Sequence, residues 1–265
     1  MRVTQQMLHQ NSVRHMNQNL SRFEKTNTQV ATGKGIERPS DNPNGVSKAM
    51  SMKSTIASNE QYARNTDEAK LWLDETDQTI SSMTSVMHRV RELAVHGSTG
   101  TTTDSDRKAI ASELEELTLQ MNQFAEAKVN GQALFGADKN FSIGDGFTIK
   151  ANTTSTELLG DTMAVLENLS AAVKAGSGID LDAVDAGMER MLGVQAEVGA
   201  RMNRVEATET RLKDHSFELK TLVSKIEDVD YAEAIIRLKS EESIYQASLS
   251  ASSKIMQTSL MDFLR

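Results

Sequence analysis

Apolar residues recur at alternating steps of three and four along residues 181–226 of this 265-residue chain. The row runs through Leu181, Val184, Met188, Met191, Gln195, Val198, Met202, Val205, Glu209, Leu212, Ser216, Leu219, Val223 and Ile226. This spacing places every member on one side of an α-helix, and a row this long without internal caps is typical of a coiled coil. The segment is therefore predicted to be one long helix that packs lengthwise against others.

Two polar members of this row, Gln195 and Glu209, leave two interpretations open. A polar residue in a helical seam can face a gap in the packing, or it can fix the register of the helices. The sequence favours neither interpretation over the other.

Two more helices with the same spacing are predicted upstream. The first covers residues 43–96 and would be about 80 Å long at about 1.5 Å per residue. Thr103 and Asp106 then resemble a capping box that starts the second. The two rows are Ala69, Leu73, Thr76, Ile80, Met83, Met87, Val90 and Ala94, followed by Ile110, Leu114, Leu117, Met121 and Phe124.

Each end of the chain carries one further amphipathic row. Isolated helices are marginal in water, so these two ends are expected to need each other or other copies of the chain. An exposed apolar stripe on the last helix also indicates a partner. The predicted assembly interface comprises Val13, Met16, Leu20, Phe23, Val30, Ile235, Leu238, Tyr245, Leu249, Met256 and Phe263.

Both prolines of the chain lie in one short stretch near the N-terminus, "GKGIERPSDNPNG". Gly33 and Gly35 favour the end of a helix, and Pro39 and Pro43 force extended or turn geometry on the residue before each. Ser40, Asp41 and Asn42 can cap the next helix, with Pro43 in its first turn. We predict that these two glycines and two prolines form a hinge between the N-terminal helix and the body.

Residues 136–156 differ in character from the helical segments. Phe141-Ser142-Ile143 and Phe147-Thr148-Ile149 alternate around Gly144-Asp145-Gly146, which predicts a small β-hairpin. Asn-Gly at 130–131 marks a turn. A short helix over about 157–175 is expected to follow.

These patterns predict a mainly α protein, an elongated bundle of long coiled-coil-like helices with a small β-hairpin insertion. Three regions are expected: terminal assembly helices at 1–35 with 228–265, a helical body at 43–135 with 157–226, and a β-hairpin region at 136–156. No large outer domain is expected.

Composition argues against several classes of protein. The net charge of −8 does not suit a general nucleic-acid binder, and no apolar run reaches the about 20 residues of a membrane span. The absence of cysteine excludes disulfides and thiolate metal sites. The N-terminus lacks the apolar core of a secretory signal, so export without a cleaved signal peptide is expected.

No catalytic, cofactor or metal motif stands out. Around "ATGKG" at 31–35, Thr28 stands where a nucleotide-binding P-loop needs glycine, and Gly35 stands where it needs a hydroxyl residue. The five histidines show no HExxH spacing. The chain is therefore not expected to be an enzyme, to hold a cofactor or to bind a metal ion.

Several segments in this order resemble the flagellin-like family. "VATGKGIERPSDNP" is similar to the family's signature at the end of the first helix, and "RELAVHGSTGTTTDSDRKAIASELEEL" and "NGQALFG" follow in family order. "VQAEVGARMNRVEA", "DYAEAIIRLKSEESIYQASL" and "SLMDFLR" look more like the hook–filament junction proteins of the family, although the terminal Arg265 is flagellin-like. The resemblance spans about 1–135 and 180–265.

The resemblance implies a structural adaptor outside the cell that joins the flagellar hook to the flagellin filament. Its implied partners are other copies of itself in a ring, a second hook-associated protein, flagellin, and a cytosolic export chaperone on the C-terminal helix. The alternative is a short flagellin that forms a helical homopolymer. An enzyme or toxin on a helical stalk is a third hypothesis, and it would need a catalytic centre in a region too small to house one comfortably.

Overall fold

The computed structural model describes residues 2–99, 102–176 and 178–263, with the side chains of residues 2–6, 8, 9 and 255–263 outside the description. Within these ranges the chain forms seven helices and four short strands, so the mainly α prediction is confirmed. The elements in chain order are α1 (Arg2–Thr32), α2 (Pro43–Ser98), α3 (Asp104–Ala125), β1 (Lys128–Val129), β2 (Gln132–Ala133), β3 (Asn140–Gly144), β4 (Phe147–Lys150), α4 (Ser155–Leu159), α5 (Thr162–Ala175), α6 (Leu181–Glu227) and α7 (Tyr231–Phe263).

The chain divides into two compact units. The terminal unit comprises residues 1–56 and 217–265, and the body comprises residues 57–216. The division falls inside α2 and α6, because each of these helices belongs to the terminal unit at one end and to the body at the other. The three-region division predicted above stays a prediction.

The heptad spacing identified the buried faces of the two long helices of the body. All eight predicted members on α2 are fully buried. On α6 the residues buried at seven-residue intervals are Val184, Met191, Val198, Val205 and Leu212. A repeat of seven keeps one stripe of a helix against its partner over many turns, which explains the length of α6.

The two polar members of the α6 row pair with charged residues of α2. The Gln195 Nε2 donates a hydrogen bond of 3.2 Å to Asp77 Oδ1. Glu209 lies 3.8 Å from the Lys70 ammonium and also pairs with Lys213 on its own helix. Both residues therefore have polar partners across the seam, which favours the register interpretation over a gap.

The predicted capping box at the start of α3 is present. The Thr103 hydroxyl accepts from the Asp106 backbone N–H, and the Asp106 carboxylate accepts from the Thr103 backbone N–H at 3.1 Å. These two bonds satisfy donors that the first turn of a helix leaves free. The pKa of Asp106 is lowered because its carboxylate accepts hydrogen bonds from the Thr103 hydroxyl and from the Thr103 backbone N–H, and both favour the charged form.

The β-hairpin prediction is confirmed, and the single helix expected after it is divided into two. Strands β3 and β4 pair antiparallel, with Phe141 opposite Ile149. The expected helix over about 157–175 is two helices, α4 and α5, separated at Gly160. Gly160 has a φ of 48°, which breaks the helical path and ends α4.

The main hydrophobic cluster belongs to the body. Its buried members span Ala69 to Val205 and include Trp72, Met87, Leu114, Leu166 and Met191. Among the described residues, none from the terminal unit belongs to this cluster. The body therefore has a core of its own, and the terminal unit is held together by other contacts.

Candidate assembly interface

The first and last helices of the chain, α1 and α7, pack against each other in the terminal unit. The rings of Phe23 and Tyr245 stack with centroids 6.2 Å apart and planes 9° from parallel. One turn away, the Asn19 Nδ2 donates a hydrogen bond of 2.6 Å to the Ser248 hydroxyl. These contacts come from residues more than 200 positions apart, so the two chain ends form one helix pair.

A loose ion pair lies on the next turn of this helix pair. The Arg22 Nε is 3.8 Å from Glu241 Oε2, and that oxygen is buried without a hydrogen bond among the described residues. Arg22 donates instead to Asn19. A distance of 3.8 Å is too long for a hydrogen bond, so the two side chains interact through their charges alone. An ion pair of this kind contributes little to stability.

The helix pair buries little apolar surface. The buried residues of α1 and α7 among those described are Asn19 and Ala234. An amide and a methyl group remove far less apolar area from water than the leucines and methionines of the body do. The helix pair therefore has weak intrinsic stability, and further burial requires another surface.

The predicted interface residues divide between the inside and the outside of this pair. Val13, Ile235 and Leu249 are exposed by 37%, 48% and 43% respectively. Met256 and Phe263 lie outside the described side chains. The half-buried members are Met16, Leu20, Phe23, Val30, Leu238 and Tyr245.

Three exposed apolar residues were missed by the sequence analysis. Ile236 is exposed by 70%, Ile244 by 40% and Tyr231 by 54%. Ile236 and Ile244 fall off the three-and-four spacing of the α7 row, whereas Tyr231 lies four residues before Ile235 and would have extended that row by one step. The doublet of Ile235 and Ile236 was the available signal, since two adjacent isoleucines cannot both face the same neighbour on a helix.

The connection after α1 and the connection before α7 lie side by side and run antiparallel. The Gly35 N–H donates to the Glu227 carbonyl at 2.6 Å, and the Val229 N–H donates to the Gly33 carbonyl at 3.0 Å. Lys34 and Asp228 form an antiparallel bridge between them. We call residues 33–35 and 227–229 the crossing, because these backbone bonds hold the two connections side by side.

Gly33 is required at the crossing by both conformation and space. Its φ is +73°, in the left-handed region that side chains rarely adopt. A Cβ atom at this position would lie 2.6 Å from the Tyr231 hydroxyl. Gly33, which was predicted to end the first helix, therefore also leaves room for the side chain of Tyr231, the first residue of α7.

A cluster of three charged side chains lies at the same crossing. The Glu227 carboxylate lies 2.6 Å from the Lys53 ammonium and 3.4 Å from that of Lys34. The hydrogen bond from Lys53, with Lys34 close by, lowers the pKa of Glu227 against the opposing effect of burial. This carboxylate joins α6, α2 and the connection after α1 within the terminal unit.

The proline segment forms a capped turn. Pro43 is the first residue of α2, and the Gly45 N–H donates to Asn42 Oδ1 at 2.9 Å. Asp41 accepts from the Arg38 backbone N–H and pairs with Lys25 at 2.8 Å. The hydrogen bond from Lys25 is the main reason that the pKa of Asp41 is lowered. Pro39 is exposed in this turn, and a hinge role for Gly33, Gly35, Pro39 and Pro43 stays a prediction.

Neither a metal site nor a membrane span is present in the part of the chain that the structure describes. No group of three or more His, Asp or Glu side chains there could hold a metal ion. No described helix is both long enough and apolar enough to cross a bilayer. The arrangement of the terminal unit suits the binding of other protein surfaces.

Comparison with known proteins identifies the family. Residues 3–140 match the bacterial flagellin N-terminal helical region, and residues 181–264 match the bacterial flagellin C-terminal helical region. The chain belongs to the flagellin family. These are structural, non-enzymatic proteins of the bacterial flagellum, so this chain is a flagellar structural protein. Both matched regions include the helices of the terminal unit.

Relatives of two kinds cover nearly the whole of this flagellin-family chain. A flagellar hook-associated protein 3 of Escherichia coli is 24% identical over 314 aligned positions, which cover 98% of each chain. A flagellin of Halalkalibacterium halodurans is 25% identical over 245, covering 90% of this chain and 89% of its own.

Solved structures of hook-associated proteins share the fold. A putative flagellar hook-associated protein from Vibrio parahaemolyticus superposes with a TM-score of 0.63 at 17% identity, over 71% of this chain and all of the other. The FlgL protein of Bacillus cereus gives a TM-score of 0.60 at 22% identity, over 66% of this chain and 99% of the other. The predicted resemblance to the flagellin-like family is therefore confirmed.

Proposed function

We propose that this protein is the structural adaptor that joins the hook of a bacterial flagellum, through a second hook-associated protein, to the flagellin filament. Copies of the chain assemble into a ring through their terminal units. The body contributes no catalysis. The protein acts outside the cell, as part of the flagellum.

The contrast between the two units carries the assembly proposal. The body has a continuous buried core, whereas the terminal helix pair buries an amide and a methyl group and leaves Ile235, Ile236 and Leu249 in water. Exposed apolar surface on a helix pair that lacks a core indicates an intended partner. Neighbouring copies offer the same surface, and a repeated contact of this kind builds rings or tubes.

The distribution of charge supports a junction ring over a long homopolymer. Residues 57–216 carry 26 Asp and Glu against 15 Lys and Arg, a net charge of −11. The rest of the chain carries 11 acidic and 14 basic residues, a net charge of +3. Bodies stacked in a long homopolymer would repel one another along its whole length, whereas a single ring brings few of them together.

The partners follow from the position at the junction. A second hook-associated protein lies on the hook side of the ring and flagellin on the filament side. In the cytosol, an export chaperone covers the exposed apolar residues of α7 until the chain is delivered. Ile236, at 70%, is the most exposed large apolar residue of α7 among those whose side chains the structure describes.

Deletion of the gene and examination of the flagella by electron microscopy tests this function. The proposal expects hooks without filaments and flagellin shed into the medium. Complementation with the intact gene should restore filaments of normal length. Filaments of normal length in the deletion strain would contradict the junction role.

A short filament flagellin remains the second candidate, favoured by the 25% identity to the Halalkalibacterium halodurans flagellin over 90% of this chain. Seeded polymerisation separates the two functions. A flagellin elongates when filament seeds are added to purified monomer. The junction adaptor should stay monomeric under the same conditions, and long homopolymers would favour the flagellin function.

A further inference from the structure

The chain contains two Asn-Gly pairs, at 44–45 and 130–131. In such a pair the backbone nitrogen of glycine can attack the side-chain amide carbon of asparagine, because glycine has no side chain to hinder the approach. The attack requires an accessible nitrogen and a backbone free to rotate into the ring geometry. The two pairs differ in both respects.

The pair at 130–131 lies at an exposed turn between β1 and β2. Asn130 has a φ of 51° and Gly131 a φ of +80°, and a Cβ atom at Gly131 would meet nothing within 4 Å. The flanking strands have two residues each, so this hairpin has few bonds to hold it. The buried Leu134 after β2 anchors the hairpin to the body core, so the part that can rearrange at little cost in free energy is the exposed two-residue turn itself.

The pair at 44–45 lies in the first turn of α2. Gly45 is buried, and its backbone nitrogen donates a hydrogen bond of 2.9 Å to Asn42 Oδ1. The nitrogen that would attack Asn44 is thus already engaged. Helical backbone geometry must also be lost before a five-membered ring can close there, which requires unwinding the start of a 56-residue helix.

We propose that Asn130 is a site of spontaneous deamidation and that the fold protects Asn44 from the same reaction. The deprotonated Gly131 nitrogen bonds to the Asn130 side-chain carbon, and the amide group leaves as ammonia after taking up a proton. Water then opens the resulting succinimide at one of its two carbonyls. The products are aspartate and isoaspartate, and no oxidant, reductant or enzyme is needed.

The product alters both the charge and the backbone of the body. One neutral amide becomes a carboxylate in a unit whose net charge is already −11. The isoaspartate product adds a methylene group to the main chain inside the turn. The pairing of Val129 with Gln132 across this turn is expected to weaken as a result.

The test incubates the full chain at neutral and mildly alkaline pH and follows both peptides by mass spectrometry. Conversion at Asn130 should be at least about tenfold faster than at Asn44, and a factor of ten corresponds to about 1.4 kcal/mol in opening free energy. The rate at Asn130 should rise with pH, because the attacking nitrogen must lose its proton. Isoaspartate should be detected at position 130 with an isoaspartate-specific methyltransferase.

Incubation of the same chain in concentrated urea is the matched control. Without the fold the two pairs are expected to react at similar rates, which would show that structure causes the difference. Asn130→Gln should abolish the fast conversion and leave Asn44 unchanged. Equal rates at the two sites in the folded chain, or an intact Asn130 after Asn44 has reacted, would overturn the proposal.

Discussion

At the residue scale, a few positions in the terminal unit decide how the two chain ends meet. The sequence predicted a helix end at Gly33 and a capped start at Pro43, because glycine and proline restrict the backbone locally. It could not predict that Gly33 faces Tyr231 or that Glu227 faces Lys53, since these contacts join residues at least 174 positions apart. Local backbone preferences can be predicted from a sequence, whereas contacts between residues far apart in the sequence depend on the whole fold.

Replacement of Gly33 by alanine should loosen the crossing. An alanine at a φ of +73° costs about 1–2 kcal/mol. The Tyr231 hydroxyl can move away from the new methyl group, so the backbone is the main cost. Hydrogen exchange should show about tenfold lower protection of the Gly35 and Val229 amides, which corresponds to about 1.4 kcal/mol.

Gly199→Ala is the matched control for Gly33→Ala. Gly199 lies inside α6, and a Cβ atom there would meet nothing within 4 Å. Alanine at such a helical position should stabilise by about 0.5–1 kcal/mol. Unchanged protection of the crossing in Gly33→Ala would show that the positive φ is not a constraint.

Acid should weaken the same crossing through Glu227. Its pKa is lowered in the folded chain, so its contribution to stability is complete above the unfolded-state pKa and is lost as pH falls through the folded-state value. Protection factors at Gly35 and Val229 should fall over that acidic range. Glu227→Gln should remove this dependence on pH, whereas the control variant Glu218→Gln, on the same helix, should retain it. A dependence that survives in Glu227→Gln would contradict the assignment.

At the element scale, periodicity predicted which face of each body helix is buried but not what covers the terminal helices. The α6 row is buried at every seventh residue because that helix packs within a full core. On α7, Tyr245 faces α1 while Ile235 and Leu249 of the same row stay exposed. Two of the four predicted α7 residues whose side chains the structure describes are therefore exposed. A sequence pattern cannot distinguish a partner in the same chain from one in another copy.

The capping box gives a prediction for one element of the body. Thr103→Ala removes a hydroxyl that accepts from the Asp106 N–H at the start of α3. The free energy of unfolding should fall by about 1 kcal/mol, measured as a lower urea midpoint. Ser105→Ala, in the same turn but outside the box, should change the midpoint little. Equal shifts in the two variants would show that the box does not stabilise the helix.

At the scale of the whole molecule, the buried core and the proposed assembly surface belong to different units. The body has the core and an excess of acidic residues, and the terminal unit has most of the exposed large apolar residues among those described and an excess of basic residues. Composition gave the total charge of −8 but could not show this separation, because the boundary between units lies inside α2 and α6. The separation predicts how self-association should respond to salt.

Self-association of the purified chain should strengthen as the salt concentration rises. Repulsion between bodies of net charge −11 opposes assembly, and the screening length falls from about 10 Å at 0.1 M to about 3 Å at 1 M. Apolar contacts between terminal units are not weakened by the same change. Sedimentation velocity over this range measures the effect. Weaker association at high salt would instead indicate that opposite charges hold the copies together.

A comparison of two double variants in a deletion strain tests most directly whether the exposed apolar residues of the terminal unit form the assembly interface. Ile235→Ala with Leu249→Ala removes two of these residues, exposed by 48% and 43%. Leu119→Ala with Leu192→Ala removes two body residues exposed by 56% and 45%. Loss of a large side chain from a formed contact costs about 2–5 kcal/mol, and the loss repeats at every subunit.

The measurement is the number and length of filaments by electron microscopy, with the urea midpoint of each purified variant recorded beside it. The terminal pair should lose filament attachment while the body unfolds at the normal midpoint. The body pair should support filaments of normal length. Full filaments with the terminal pair, or equal loss with the body pair, would contradict the assignment of assembly to the terminal unit.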